Sequence, residues 1–257
     1  MIENCSTRIS LTLSPRRELT MAMALAMAMA MSLTMALSLA GCWNAVEDGC
    51  RGCVVVSERA PALPPIAPST RAVVVLVHGA FGFGAEWRPV VDAVRARPRT
   101  SMVAFAWSGP WTRKPSLAAE ALLRIVQHAV DTAPADAHVL ILAHSAGGAL
   151  TSFVGERLRV PAGKRVQIAS IAPPEGMNLS PYKPEGRVNT PLGMAIGGDQ
   201  PPLGPIAPGV DYLEYATADA PAHPTAGRPG VRRIWLGARV GHNESVALAA
   251  LPLVRGL

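Results

Sequence analysis

Apolar residues in this chain come in short runs that end on glycine, histidine or clusters of turn residues. The segments 72–77 (AVVVLV), 102–107 (MVAFAW), 139–142 (VLIL), 166–171 (VQIASI), 210–217 (VDYLEYAT) and the one opening at 231 (VRRIWL) have this character. Runs of that length bounded by turn signals read as strands, and the most apolar ones as strands covered on both faces. Between them, 89–95 and 117–130 carry helical spacing. In the second, Leu117, Ala121, Leu122, Ile125, Val126 and Ala129 fall on one face. Strands alternating with helices predict an α/β fold, a mostly parallel sheet flanked by helices. The C-terminal third breaks the pattern. From 171 to 210 there is no amphipathic spacing, while Pro173, Pro174, Pro181, Pro184, Pro191, Pro201, Pro202, Pro205 and Pro208 accumulate. A loop of that length is functional or disordered, and 173–209 is read as a cap or pocket wall.

One transition carries chemistry. In 139–150, VLILAHSAGGAL, the apolar run stops at His144, Ser145 follows between small residues, and Gly147, Gly148, Ala149 and Leu150 can open a helix. A strand, a sharp turn and a helix make a nucleophile elbow, which lifts a serine Oγ above the end of a sheet. The turn is strained and brings helix close to strand, so the positions two before and two after the serine must be small. Here they are Ala143 and Gly147, giving A-x-S-x-G where G-x-S-x-G is usual. A second transition, RAVVVLVHGAFGFG at 71–84, runs from apolar residues into His78-Gly79 and a glycine-rich loop. A third, VRRIWLGARVGHNESV at 231–246, places Gly241-His242 after the last strand.

Together these three motifs, spanning 72 to 246, resemble the α/β-hydrolase superfamily. The resemblance implies a serine nucleophile at Ser145 and a general base at His242. It also implies an oxyanion hole made by the backbone N–H of Ala146 with that of Ala80 or Phe81. The acid that holds the imidazole must follow the penultimate strand. Asp219, after the strand at 210–217, is preferred. Asp199, in G-G-D-Q-P, is the alternative, and Asp211 and Glu214 within the strand come behind both. Trp107 and Trp111 are expected at a pocket rim, with core packing the alternative for Trp107, and Arg113 in solvent. The superfamily normally has a helix between its last strands, which this sequence does not announce.

The N-terminus is read as an export signal. Arg8, Arg16 and Arg17 precede an apolar stretch at 19–40 rich in alternating methionine and alanine, as in a secretory signal peptide occupying 1–41. Leu39-Ala40-Gly41-Cys42 looks like a bacterial lipobox, which implies lipidation of Cys42 and anchoring of an exported lipoprotein to a membrane of the cell envelope. Residues 42–70, with Pro61, Pro64, Pro65 and Pro68, are read as a lipidated tether and stiff linker, and 71–257 as the catalytic domain. Cys50 and Cys53 lie close together in D-G-C-R-G-C, before any expected strand. Two ligands do not make a zinc site, and a local disulfide suits an oxidising compartment.

Charge adds little. The formal net charge is +6, which the arginine-for-lysine bias of a high-GC genome explains without an anionic partner. No metal, organic cofactor or nucleic-acid motif is expected. The function expected is cleavage of a small-molecule or lipid ester with a neutral acyl group. A catalytically silent binding protein, or an acyltransferase or thioesterase using the same residues, are the alternatives. The sequence sets no oligomeric state.

Overall fold

The apolar runs become the centre of one sheet. The structure, a computed structural model, describes residues 49–59, 61–79, 82–107, 115–173, 204–217 and 228–257. Among them the strands are β1 (Val54–Ser57), β2 (Ala72–Val77), β3 (Thr100–Ala106), β4 (His138–His144), β5 (Arg165–Ile171), β6 (Val210–Ala216) and β7 (Val231–Trp235). The helices are α1 (Arg88–Arg95), α2 (Pro115–Thr132), α3 (Ala146–Arg157) and α4 (Glu244–Arg255). The strand order is β1-β3-β2-β4-β5-β6-β7, and every neighbouring pair is parallel.

Side-chain alternation splits the core into two layers. Val73, Val75 and Val77 of β2 with Val139, Ile141 and Ala143 of β4 face α2 and α3. Val74 and Leu76 with Leu140 and Leu142 face α1 and α4. Both faces are covered, which is why β2 and β4 read as continuous apolar runs rather than as alternating ones. The chain passes from β2 outward to β3, then crosses back to β4 on the other side of β2. That reversal puts a topological switch point between β2 and β4, where the carboxyl ends of open parallel sheets leave a crevice for ligands.

Several expectations change. The stretch read as a tether contains β1, which pairs with β3 from Val54↔Val103 to Ser57↔Ala106, so the folded part starts before residue 71. The turn before β1 is closed by the Cys50–Cys53 disulfide and by a Cys53 N–H to Cys50 O bond of 2.9 Å. Cys50 is buried in the α1–α4 layer with Phe83 and Trp87. Gly49 presses so closely on the following loop that a Cβ there would lie 2.2 Å from the Phe83 carbonyl oxygen. Leu117 is 58% exposed. It stands on the first turn of α2 at the margin of the apolar stripe, whose buried part begins at Ala118. Helix α4 was not expected. Its Pro252 lies in the last turn, while Val246, Ala249, Ala250 and Val254 close the layer over α1.

The last third is tied to α3 by polar contacts. Arg228, with only 5% of its side chain exposed, pairs with Glu156 and donates to the carbonyls of Gly204 (2.6 Å) and Ser152 (3.0 Å). Glu156 accepts the Gly204 N–H at 2.8 Å. A guanidinium taken out of water needs such partners. Of the span read as a cap, 174–203 lies outside the described residues. Among the described residues no helix is long and apolar enough to cross a membrane.

Candidate active site

The elbow forms where the switch point predicts a crevice. Strand β4 ends at His144, and α3 begins at Ala146, leaving Ser145 alone to make the turn at φ 54°, ψ −126°. A non-glycine residue avoids this region because its Cβ crowds the backbone, so the conformation must be held by its surroundings. Two bonds hold it. The Ser145 N–H donates to Ile171 O at 2.8 Å, and Ser145 O accepts from Gly148 N–H at 2.8 Å. Ala172, just past the Ile171 acceptor, is left-handed too (φ 43°) and is fastened to Tyr215 O at 2.8 Å.

The small residues have measurable work. A Cβ on Gly147 would lie 2.5 Å from His78 O and 2.9 Å from Val77 O, and one on Gly79 would lie 2.8 Å from Ser145 Cβ. Ala143 is fully buried. The expected steric demand at these positions is therefore met by main-chain contact between β2 and the start of α3. Ala146 opens that helix, and amides of a first helical turn have no intrahelical acceptor. Its N–H thus points out of the partly positive end of α3, beside Ser145.

The HG turn is fixed by a reciprocal clamp. His78 Nδ1 donates to Gly79 O at 2.6 Å, which leaves Nε2 to accept the Trp107 backbone N–H at 3.2 Å. Trp107 Nε1–H returns a bond to His78 O at 3.0 Å, and the two rings stack. Burial holds the His78 imidazole neutral, its pKa lowered to about 4 against the opposing bond to Gly79. Trp107 is therefore a core residue at 7% exposure, not a rim residue. Gly79 and Gly82 bridge across the turn. Ala80 and Phe81 themselves lie outside the described residues.

His242 sits half-buried in the loop between β7 and α4. Its carbonyl oxygen receives His144 Nε2 at 3.0 Å and Ser245 Oγ at 2.5 Å. The His144 and His242 rings lie 4.5 Å apart, tilted by 44°. His144 belongs to the α1–α4 side of β4, with Trp87 edge-on to its ring. Burial, aided by the proximity of His242, lowers its pKa to about 3. The loop bearing the candidate base is thereby fastened to the residue next to the candidate nucleophile. No local signal marks His144 for this task beyond a polar residue at the end of an apolar run.

The two strand carboxylates are engaged elsewhere. Asp211 lies near the amino end of β6 and takes Arg232 through both oxygens, with Gln167 Nε2 at 2.7 Å. Glu214 is buried and pairs with Arg233 Nε at 2.7 Å. It stands two residues from Tyr212, which faces α3, so by alternation it points to the sheet face opposite His144. Asp219, Asp199, Trp111, Arg113 and Cys42 lie outside the described residues. Among the described residues no cluster of three or more His, Cys, Asp or Glu is arranged to hold a metal.

Comparison with known proteins matches residues 74–255 to the alpha/beta hydrolase family. No curated protein matches. Among solved structures the chain is similar to a Xanthomonas campestris pv. campestris protein assigned as a hydrolase of the alpha/beta superfamily. The identity is 15% and the TM-score 0.43, over 73% of this chain and 100% of that one.

Proposed function

This chain belongs to the alpha/beta hydrolase family, and from that premise we propose that it is a serine hydrolase of carboxylic esters. The observation that carries the reading is the Ser145 backbone, held at φ 54° on the carboxyl end of β4 with the His242 loop bonded to the adjacent residue. A strained serine at the switch point is what a nucleophile elbow requires. In this reading Ser145 Oγ attacks the acyl carbonyl while His242 takes the hydroxyl proton. The tetrahedral oxyanion is met by the amides of Ala146 and of Ala80 or Phe81. As the intermediate collapses, His242 passes its proton to the leaving alcohol, and an acyl-serine remains. Water, deprotonated by His242, then attacks it, releasing the acid and restoring Ser145.

An aspartate orients the imidazole. The position of β6 between β5 and β7 supports Asp219, three residues past Ala216, because β6 is then the penultimate strand. Asp199 falls in the β5–β6 connection. The small apolar residues around the elbow, Ala143, Ala146 and Ala149, offer no charge and suit a neutral acyl group. We infer also that Cys42 is lipidated and holds the enzyme to an envelope membrane. Palmitate labelling that disappears in Cys42→Ala tests this.

The activity is tested by fluorophosphonate labelling of the full chain in detergent, beside Ser145→Ala and His242→Ala. Labelling that requires both residues is the expected result, followed by hydrolysis of p-nitrophenyl esters. An unlabelled, folded wild type refutes the reading.

A further inference from the structure

We propose that His144 is a positioning residue that sets the place of His242 relative to Ser145 through a hydrogen bond to the His242 main-chain carbonyl. The inference rests on the reading of Ser145 and His242 as nucleophile and base.

The geometry has four parts. His144 is the last residue of β4 and is joined by one peptide bond to Ser145. Its backbone register is fixed by pairing with Ile171 of β5, so its Cα cannot drift without the elbow. From that fixed point its Nε2 reaches the His242 carbonyl, 98 residues later in the chain. A carbonyl oxygen only accepts, so Nε2 carries the proton and the ring is the neutral Nε2–H tautomer. The second donor to the same oxygen, Ser245 Oγ, belongs to the first turn of α4. The carbonyl is thus pinned from the sheet on one side and from the helix on the other.

The pin suits the chemistry proposed for its neighbour. When His242 becomes an imidazolium, a second cation 4.5 Å away would oppose it. Burial keeps His144 uncharged at neutral pH, so it adds no such opposing charge. Trp87, edge-on to the ring and fully buried, backs the imidazole on the side of α1. A nucleophile and base misplaced by about 1 Å lose on the order of 100-fold in rate. One side chain that spans from β4 to the His242 loop can therefore govern rate without touching substrate.

The test uses the full chain in detergent and the same fluorophosphonate, with p-nitrophenyl acetate as substrate. His144→Phe keeps a flat aromatic ring and removes the donor, and should slow labelling by about 10- to 100-fold. Hydrolysis should lose kcat in the same proportion while KM stays within about 2-fold, because an interaction that places the base leaves substrate binding alone. His144→Gln puts an amide N–H near the former Nε2 position and should recover the rate to within about 5-fold of wild type. A residue needed only for packing would favour Phe over Gln. His144→Phe that labels like wild type, or folded His144→Gln no faster than His144→Phe, overturns the proposal. Should His144→Phe not fold, His144→Asn decides: its amide is too short to reach the carbonyl, so an undiminished rate overturns the pin. A wild type that does not label removes the premise instead, an outcome distinct from these.

Discussion

In the proposed function Ser145 carries its backbone strain (φ 54°) for chemistry, so removing its Cβ should stabilise the fold while abolishing activity. The comparison to make is Ser145→Gly against Ser145→Ala. Both lack the hydroxyl, and neither loses a helix cap, since the Ser145 side chain makes no capping bond to α3. Alanine keeps the Cβ at φ 54°, ψ −126°, whereas glycine reaches that region freely. A non-glycine residue in a sparsely populated region costs about 1–3 kcal/mol. Against this, glycine gives the unfolded chain extra freedom worth about 0.5–1 kcal/mol. Ser145 is only half-buried, which limits the packing its Cβ has to lose. The balance favours glycine by about 1 kcal/mol. For a domain of about 200 residues that raises the melting temperature by about 2–4 °C. Calorimetry of the two variants in the same detergent reads the difference directly. A Ser145→Gly protein no more stable than Ser145→Ala would mean that the elbow stores no strain, and the argument from backbone to function would fail.

Three other outcomes follow from the same geometry. Gly147→Ala, which at an exposed helix position would gain up to about 1 kcal/mol, should instead cost about 2–3 kcal/mol here, because the new Cβ meets the carbonyls of His78 and Val77. A melting temperature at or above wild type would contradict this. His78 and His144 stay neutral in the fold, with pKa values near 4 and 3, while the unfolded chain protonates them below about 6.5. Their contribution is therefore complete above pH 6.5 and is lost as the pH falls toward 4. Urea unfolding at pH 5 should show each costing about 2 kcal/mol relative to pH 7.5, and equal midpoints at the two values would refute it. Replacing Cys50 and Cys53 by serine opens a loop of sequence separation 3 and should lower stability by about 2 kcal/mol from chain entropy, as read by the shift in urea midpoint. No shift would show that the turn before β1 holds without its crosslink.

Legibility followed the range of the interactions. Strands β2 and β4 announced themselves because a sheet covered on both faces demands apolar residues at every position. The elbow was equally local: Ala143, Ser145 and Gly147 satisfy one turn within five residues. Strand β1 was hidden because it is four residues long, at a sheet edge, with Val54 and Val55 exposed and prolines soon after it. Helix α4 was masked by Pro252 and by a sequence apolar on most sides. The roles of His78 and His144 could not be read at all. Their partners lie 29 and 98 residues away, and a histidine at a strand end looks the same whether it clamps a loop or faces water.

Those two histidines follow one design. Each ends or follows a central strand, each is kept neutral by burial, and each spends its ring N–H on a main-chain carbonyl, Gly79 for His78 and His242 for His144. A charged side chain could make the same bonds, but at a desolvation cost of several kcal/mol in a layer lined by Phe83, Trp87 and Leu142. A neutral imidazole supplies a directional donor without that cost, and it leaves the field at the crevice free for the charges that develop during reaction. Both loops that converge on Ser145 are thus hung from the rigid carboxyl edge of the sheet by groups that do not titrate above about pH 4. The geometry held in this way should be insensitive to pH above about 4. In the proposed function, any pH dependence of labelling near neutrality therefore arises from a group other than these two histidines.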